Sequence, residues 1–219
     1  LEGPSGYDQT LTSGRGFLSQ TDWSGGPGQD AFTDATKFFE TDGNIAVDAP
    51  TGELRLLQTN GTYAASGTLT SSTFDTGSPT NFYQLSWQPS DQPVTAGTDP
   101  VRFQIATNTD NATWNFLGPD GTDATYYTLS NTNINSVHTN DRYLRYKLFL
   151  QTVDPIVTPN ISDIAVSFTS ACVPPGQVAF RGLANGSYTL TVSKSGYQTA
   201  TQNVTVTPWL QQDVTLTPQ

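Results

Sequence analysis

His138 is the only histidine of the chain, and it lies in the polar stretch NTNINSVHTND, three residues before Asp141. A Ser/His/Asp triad would need this imidazole as its base and a nearby carboxylate to orient the ring. No G-x-S-x-G segment accompanies the pair to present a nucleophile. We therefore interpret His138 as a solvated loop residue and predict no catalytic residues and no enzymatic activity. A tetrahedral zinc site built from nitrogen and sulfur ligands is excluded, because the chain has one cysteine and one histidine.

Three aspartates, Asp110, Asp120 and Asp123, lie close together in the segment NTDNATWNFLGPDGTD. Calcium prefers carboxylate and carbonyl oxygens, which loops often supply. The Pro-Asp-Gly of this segment is also an ordinary turn sequence, and the spacing of an EF-hand is missing. Two interpretations stay open: a calcium site, or a turn with solvated acids and no cofactor. The interpretation as a turn with solvated acids is preferred.

Aromatic residues beside turns are a second kind of candidate site, since their rings can stack on the faces of sugar rings. Four aromatic side chains lie in or next to turn sequences, and they are Trp23, Trp114, Tyr126 and Tyr127. Core packing is the competing interpretation for each, because large aromatic side chains contribute most of their energy when buried. The four rings form a candidate sugar-stacking set, and core packing is the preferred interpretation for any one of them.

The elements that must position these residues are strands. Short segments with alternating polar and apolar residues, bounded by turn residues, recur along the chain, and helical periodicity is nearly absent. This pattern predicts an all-β sandwich or barrel, with strands near Arg15–Gln20, Ala31–Phe39, Glu53–Gln58, Gly67–Phe74, Phe82–Trp87, Val101–Thr107, Trp114–Leu117, Ala124–Thr128, Tyr143–Thr152 and Ile161–Thr169.

Changes in composition divide the chain into three regions. Residues 1–62 form a Gly-rich β segment, residues 63–171 carry the densest strand pattern, and residues 172–219 follow a linker. The linker is SACVPPGQ, where two consecutive prolines hold the chain extended and prevent a central strand. Its Cys172 has no second cysteine with which to form an intramolecular disulfide.

Composition and charge exclude several classes of function. The net charge is −10, from 19 acidic and 9 basic residues, and no cluster of bases interrupts it, so a nucleic acid partner is not expected. The longest mainly apolar run, YLRYKLFL, contains two cations and is far shorter than the roughly 18 residues that a membrane-spanning helix needs. Charged residues make up only 13 % of the chain, and Ser, Thr, Asn and Gln replace them. This composition is typical of secreted β proteins.

The segment FRGLANGSYTLTVSKSGYQTATQNVTVTPWLQQDVTLTP resembles the second half of the carboxypeptidase-regulatory-like and PEGA-type β-sandwich modules. The shared pattern is Gly-Leu-x-x-Gly-x-Tyr, alternating residues, Gly-Tyr and two further strands; it starts here at Gly182 and includes Tyr188 and Tyr197. Asn185-Gly186 is expected to supply the positive φ of a tight turn. The resemblance implies an Ig-like or transthyretin-like partial sandwich over residues 172–219, used as a spacer on extracellular proteins. Because strands before the Gly-Leu segment are missing, we expect another domain or subunit to cover its open edge.

The middle region is similar to jelly-roll and discoidin-like modules of bacterial secreted and prepilin-type surface proteins. The similar segments are SGTLTSSTFDTG, LSWQP, VRFQIATNTDNATWNFLGPDGT, RYLRYKLFL and TPNISDIAVSFTS. This resemblance implies a tandem of β-sandwich modules at the cell surface.

These observations predict a non-enzymatic extracellular structural subunit of a bacterial surface appendage or pilus-like assembly. Its expected partners are further copies of the chain or other surface subunits. The alternative is a carbohydrate-binding or adhesion module that binds cell-surface glycans. A structural subunit predicts free strand edges, whereas a glycan-binding module predicts a patch with two or more exposed aromatic rings.

Overall fold

The computed structural model describes residues 1–9, 16–28, 35–170, 178, 180, 182–207 and 210–219. It confirms an all-β sandwich fold. The only helices in these ranges are two three-residue 3₁₀ turns, Pro4–Gly6 and Val94–Ala96, so no described helix is long enough to cross a membrane. The predicted linker around Cys172 lies outside the described residues.

Eighteen strands follow one another along the described chain. They are β1 Glu2–Gly3, β2 Tyr7–Asp8, β3 Gly16–Gln20, β4 Gly26–Pro27, β5 Lys37–Thr41, β6 Ile45–Val47, β7 Leu54–Leu56, β8 Gln58–Thr59, β9 Thr62–Tyr63, β10 Ser66–Ser71, β11 Phe74–Gln88, β12 Val101–Asn108, β13 Thr132–Asn133, β14 Thr139–Gln151, β15 Asn160–Ile161, β16 Asp163–Ser170, β17 Gly186–Val192 and β18 Ala200–Val206.

The chain forms two compact units rather than the predicted three regions. One, the continuous unit, spans Gly14–Gln177; the other, the split unit, combines Leu1–Ser13 with Val178–Gln219. The predicted N-terminal domain 1–62 is wrong, because β3 and β5 pair with strands of the middle region and share its sheet. Local composition does not reveal such pairing, which joins residues far apart in the sequence.

A nine-stranded sheet forms most of the continuous unit. Its path is β3-β16-β11-β14-β10-β5-β4, with β12 beside β14 and β13 beside β11. The long strand β14 pairs on one edge with β10 and the first part of β11, and on its other edge with β12. A three-stranded sheet, β15-β7-β6, and the β8-β9 hairpin complete the unit.

Alternation along β14 separates an inner face of the sheet from an outer face. Its inward side chains are Leu144, Tyr146, Leu148 and Leu150, and all four are buried. Side chains of β3 and β16 face Leu144 and Tyr146 around a void of only about 10 Å³. The strands at this place therefore form two layers of one folded sheet, and the core between them is tightly packed.

Two of the predicted strands are reduced to single bridges. Leu117 bridges Ile105, and Tyr127 bridges Phe103, both at the edge of β12 that lies opposite β14. The segments around them have the expected alternation, but each makes only one bridging pair. Residues 109–131 therefore form a long loop along this edge, which positions Trp114 and Tyr126.

The split unit is a four-stranded sheet in the order β18-β17-β1-β2. β17 and β18 form the predicted hairpin, with seven residue pairs from Gly186↔Val206 to Val192↔Ala200. The second edge of β17 pairs with β1 through Glu2↔Thr189. The strand beside the PEGA-like hairpin thus comes from residues 2–3 of the same chain, instead of from another domain or subunit.

Close contacts explain two glycines of the split unit. A Cβ on Gly3 would lie 2.1 Å from Cδ1 of Tyr188, whose ring is 3 % exposed and whose hydroxyl donates to the carbonyl of Ala184. A Cβ on Gly186 would lie 2.9 Å from Cγ of Pro4. The expected positive φ at Asn185-Gly186 is wrong, since Gly186 begins β17 and the positive φ values lie at Gly182 and Gly196.

Candidate interaction surfaces

The outer face of β12 and β14 carries three cations at successive levels of the sheet. Arg145 and Lys147 point outward from β14, and Arg102 lies beside Phe149 on β12, one level further along. Because side chains on one face recur every second residue, these levels are roughly 7 Å apart. The three cations therefore form a line parallel to the strands.

Each cation contacts an aromatic ring from the loop 109–131. The guanidinium carbon of Arg145 lies 4.3 Å from the ring centre of Trp114, and the ammonium of Lys147 lies 5.8 Å from that of Phe116. Arg102 lies 4.8 Å above Tyr126. These distances are those of cation–π contacts. We call the three pairs, Arg145–Trp114, Lys147–Phe116 and Arg102–Tyr126, the cation–aromatic ladder.

Arg145 is the most enclosed member of the ladder. Phe39 of β5 covers the guanidinium as well, with a ring centre also 4.3 Å away, and the residue is only 3 % exposed. Its Nε donates to Oγ1 of Thr73 at 3.0 Å, while one terminal nitrogen has no acceptor among the described residues. Burial lowers the pKa of the Arg145 guanidinium, and the nearby carboxylate of Glu40 partly offsets this effect.

Arg102 and Lys147 are more accessible and share the ring of Phe149. This ring packs edge-on against Tyr126, at 5.1 Å between centres, and lies 5.7 Å from the Lys147 ammonium. A terminal nitrogen of Arg102 donates to Oε1 of Gln151 at 2.8 Å. Both residues are partly exposed, and Nε of Arg102 is buried with no acceptor among the described residues.

Hydrogen bonds from β12 hold the loop in place. The side-chain amide of Gln104 donates to the carbonyls of Asp123 and Thr125, at 2.8 and 3.0 Å. The amide of Asn108 donates to the carbonyl of Thr113 at 2.7 Å. The rings of the ladder are therefore fixed by contacts at both ends of the loop.

The structure separates the four predicted sugar-stacking rings into two pairs. Trp114 and Tyr126 lie together on the ladder and are partly exposed. The prediction is wrong for Trp23 and Tyr127, which are 0 % and 1 % exposed. Their polar atoms explain their burial: Nε1 of Trp23 donates to the hydroxyl of Tyr146, and the Tyr127 hydroxyl accepts from the backbone N–H of Asn135.

The three aspartates proposed for calcium do not form a common site. No group of three or more His, Cys, Asp or Glu side chains within the described residues is placed to hold a metal ion. The Asp110 carboxylate accepts from the backbone N–H groups of Ala112 and Thr113, and that of Asp120 accepts from Thr122 and Thr125. These hydrogen bonds lower the pKa of both carboxyl groups. Asp110 and Asp120 thus stabilise turns, as the alternative interpretation predicted.

His138 is buried, contrary to the prediction of a solvated loop residue. It is 2 % exposed, and its Nδ1 lies 2.9 Å from Oγ1 of Thr107, which donates to Asp141. Because that hydroxyl has a single proton, His138 must donate from Nδ1, and its Nε2 then has a free lone pair with no partner among the described residues. The imidazole is therefore enclosed, with Nδ1 directed at the hydroxyl of Thr107.

A second surface lies on the split unit, at the outer edge of β18. Among the described residues, β18 itself pairs only with β17. Just before β18, Tyr197 bridges Pro218 and the N–H of Gln198 donates to the carbonyl of Thr217, so the C-terminal residues cover the start of this edge, and β18 has no described strand partner on the rest of it. Its sequence, ATQNVTV, contains no charged residue and no proline, and its pairing has no bulge. Natural proteins commonly protect the edge of a sheet with a charged residue, a proline or a β-bulge. This edge has none of the three.

The sequence contained a signal for the ladder that the prediction missed. In RYLRYKLFL, Arg145 and Lys147 occupy alternate positions of a strand, so they must share its outer face. Arg102 has the same relation to the apolar residues of β12. Their pairing with Trp114 and Phe116 depends on the path of the long loop, for which the local sequence carries no pattern.

Comparison with known proteins identifies one region. A family model described as PEGA domain matches residues 178–219, that is, 42 of the 219 residues. This match confirms the PEGA-type resemblance over residues 178–219 of the predicted range 172–219. No curated protein and no solved structure matches the chain.

Proposed function

We propose that the protein is a non-enzymatic extracellular structural subunit of a bacterial surface appendage or pilus-like assembly. The observation that carries this proposal is the uncharged outer edge of β18, in the unit that includes the PEGA match, which has no described strand partner beyond the Tyr197–Pro218 bridge. An unpaired edge presents a row of backbone N–H and C=O groups that can pair with a strand of another chain. Modules of this type serve as spacers on extracellular proteins. The small fraction of charged residues, 13 % of the chain, agrees with such a role.

Self-association through the β18 edge is the direct test. Replacing Thr201 and Thr205 with lysine puts two charges on exposed positions of the edge strand, which opposes strand addition. The matched control replaces Ser187 and Thr191, which lie directly opposite on the inner strand β17 and are equally exposed. Light scattering and negative-stain electron microscopy should show assembly of the wild type and the control, and its loss in T201K/T205K. A wild-type chain that stays monomeric at every concentration would count against self-assembly.

Carbohydrate binding is the second candidate function, and the ladder favours it. Two partly exposed rings predicted to stack on sugars, Trp114 and Tyr126, lie on one face of the sheet. Polar and charged side chains beside them supply hydrogen-bond donors. A surface subunit with such a face would attach to cell-surface glycans. Binding of the purified chain to a panel of immobilised polysaccharides tests this function independently of assembly.

A further inference from the structure

We propose that the cation–aromatic ladder binds a linear acidic polysaccharide whose carboxylates face Arg102 and Lys147. This inference rests on the carbohydrate-binding candidate function and names its ligand class. It depends on three properties of the ladder: uncompensated charge, linear spacing, and a ring beside each cation.

The charge of the ladder is not neutralised within the protein. Of the nine cations in a chain of net charge −10, three lie on this face. None of the three makes a carboxylate salt bridge within the described residues, whereas Arg55 and Arg142 pair with Glu53 and Asp75 at 2.6 and 2.7 Å. The carboxylate of Glu40 acts on the buried Arg145. Arg102 and Lys147 are therefore available to an external anion.

The arrangement of the charges favours a polymer over a small anion. The three cations follow the strand direction at levels roughly 7 Å apart, so they do not converge on one point. Arg145 is enclosed by Phe39 and Trp114, so the accessible cations are Arg102 and Lys147, one level apart. A chain that carries a negative charge at regular intervals could contact these two cations in succession.

The rings favour a saccharide over a nucleic acid or an acidic peptide. Trp114, Phe116 and Tyr126 each stand beside a cation and are partly exposed, so each level offers an apolar surface next to a positive charge. A sugar acid has this combination, with a C–H face and a carboxylate on the same ring. In a nucleic acid the negative charge lies on the phosphate and the stacking surface lies on the base, so the two are on separate groups.

Binding of the full chain to polygalacturonate, with dextran as the neutral polymer, tests the proposal. We expect salt-sensitive binding to polygalacturonate and at least about tenfold weaker binding by R102Q/K147Q, equivalent to roughly 1.4 kcal/mol. The matched control is K194Q, which removes a cation 4.9 Å above the ring of Tyr197 in the split unit. K194Q should bind like the wild type, and circular dichroism should show that both variants are folded.

The outcomes separate this proposal from the function on which it rests. Equal binding to dextran and polygalacturonate, unchanged in R102Q/K147Q, would overturn the acidic ligand class and leave carbohydrate binding intact. Binding to none of the immobilised polysaccharides would overturn both. Equally tight binding to poly-glutamate would show that charge alone is recognised, and would overturn the assignment to a saccharide.

Discussion

At the scale of single residues, His138 makes stability depend on pH. Burial lowers the pKa of its imidazole to about 4, from an unperturbed value of 6.5. Between these values the unfolded chain binds a proton that the folded chain does not, so stability is full above about pH 6.5 and falls as the pH falls toward 4. The expected loss over this window is roughly 3 kcal/mol.

Urea unfolding at several pH values measures this loss. The control is H138Q, which has no group that titrates in the window and should show a much flatter profile between pH 6.5 and 4. The carboxyl groups of Asp75, Asp110 and Asp120 have lowered pKa values, so their stabilising contribution is present above their unperturbed value of 3.8 and is lost mainly as the pH falls below it. Parallel profiles for the wild type and H138Q would contradict the buried neutral imidazole.

Single residues were also the least predictable part of the site. Trp23 and Trp114 both stand beside turns, yet one is in the core and the other on the ladder. The difference arises from partners distant in sequence: Trp23 donates to Tyr146, 123 residues away, and Trp114 packs on Arg145. A pattern of neighbouring residues does not contain this information.

At the scale of elements, alternation predicted most strands of the continuous unit. The apolar positions of YLRYKLFL correctly predicted the inner face of β14. Its two cations, Arg145 and Lys147, lie on the outer face and belong to the ladder. The exceptions were Trp114–Leu117 and Ala124–Thr128, whose alternation gave single bridges. β1 was not predicted, because two residues, Glu2 and Gly3, are too few to show any period.

The pairing of β1 makes Gly3 critical for the split unit. In G3A the new Cβ would lie 2.1 Å from the buried ring of Tyr188, so the strand or the ring must move. Overpacking of this kind costs about 1–3 kcal/mol. Hydrogen exchange should show faster exchange of the amides of residues 186–206 in G3A, with exchange in β14 unchanged.

The neighbouring variant E2A is the control for this experiment. Glu2 is exposed, so its truncation to alanine leaves the contact between Gly3 and Tyr188 in place. Exchange in E2A should match the wild type. If G3A exchanged as slowly as E2A, β1 would not be packed against the PEGA-like hairpin.

At the scale of the whole molecule, the order of the units could not be read from the sequence. Composition suggested three consecutive regions, whereas the continuous unit is inserted between two parts of the split unit. The PEGA-type pattern correctly located the hairpin and indicated that strands were missing from it. It did not indicate which residues supply the neighbouring strand. That strand, β1, has only two residues, which are too few to show an alternating pattern.

Immunoelectron microscopy of the native cell surface, with antibodies against the continuous unit, tests the central claim most directly. These antibodies recognise residues outside the split unit, which contains the β18 edge that we propose joins subunits. The account predicts gold label at regular intervals along surface filaments. Label confined to the cell interior, or scattered over the wall with none on any filament, would contradict a structural subunit.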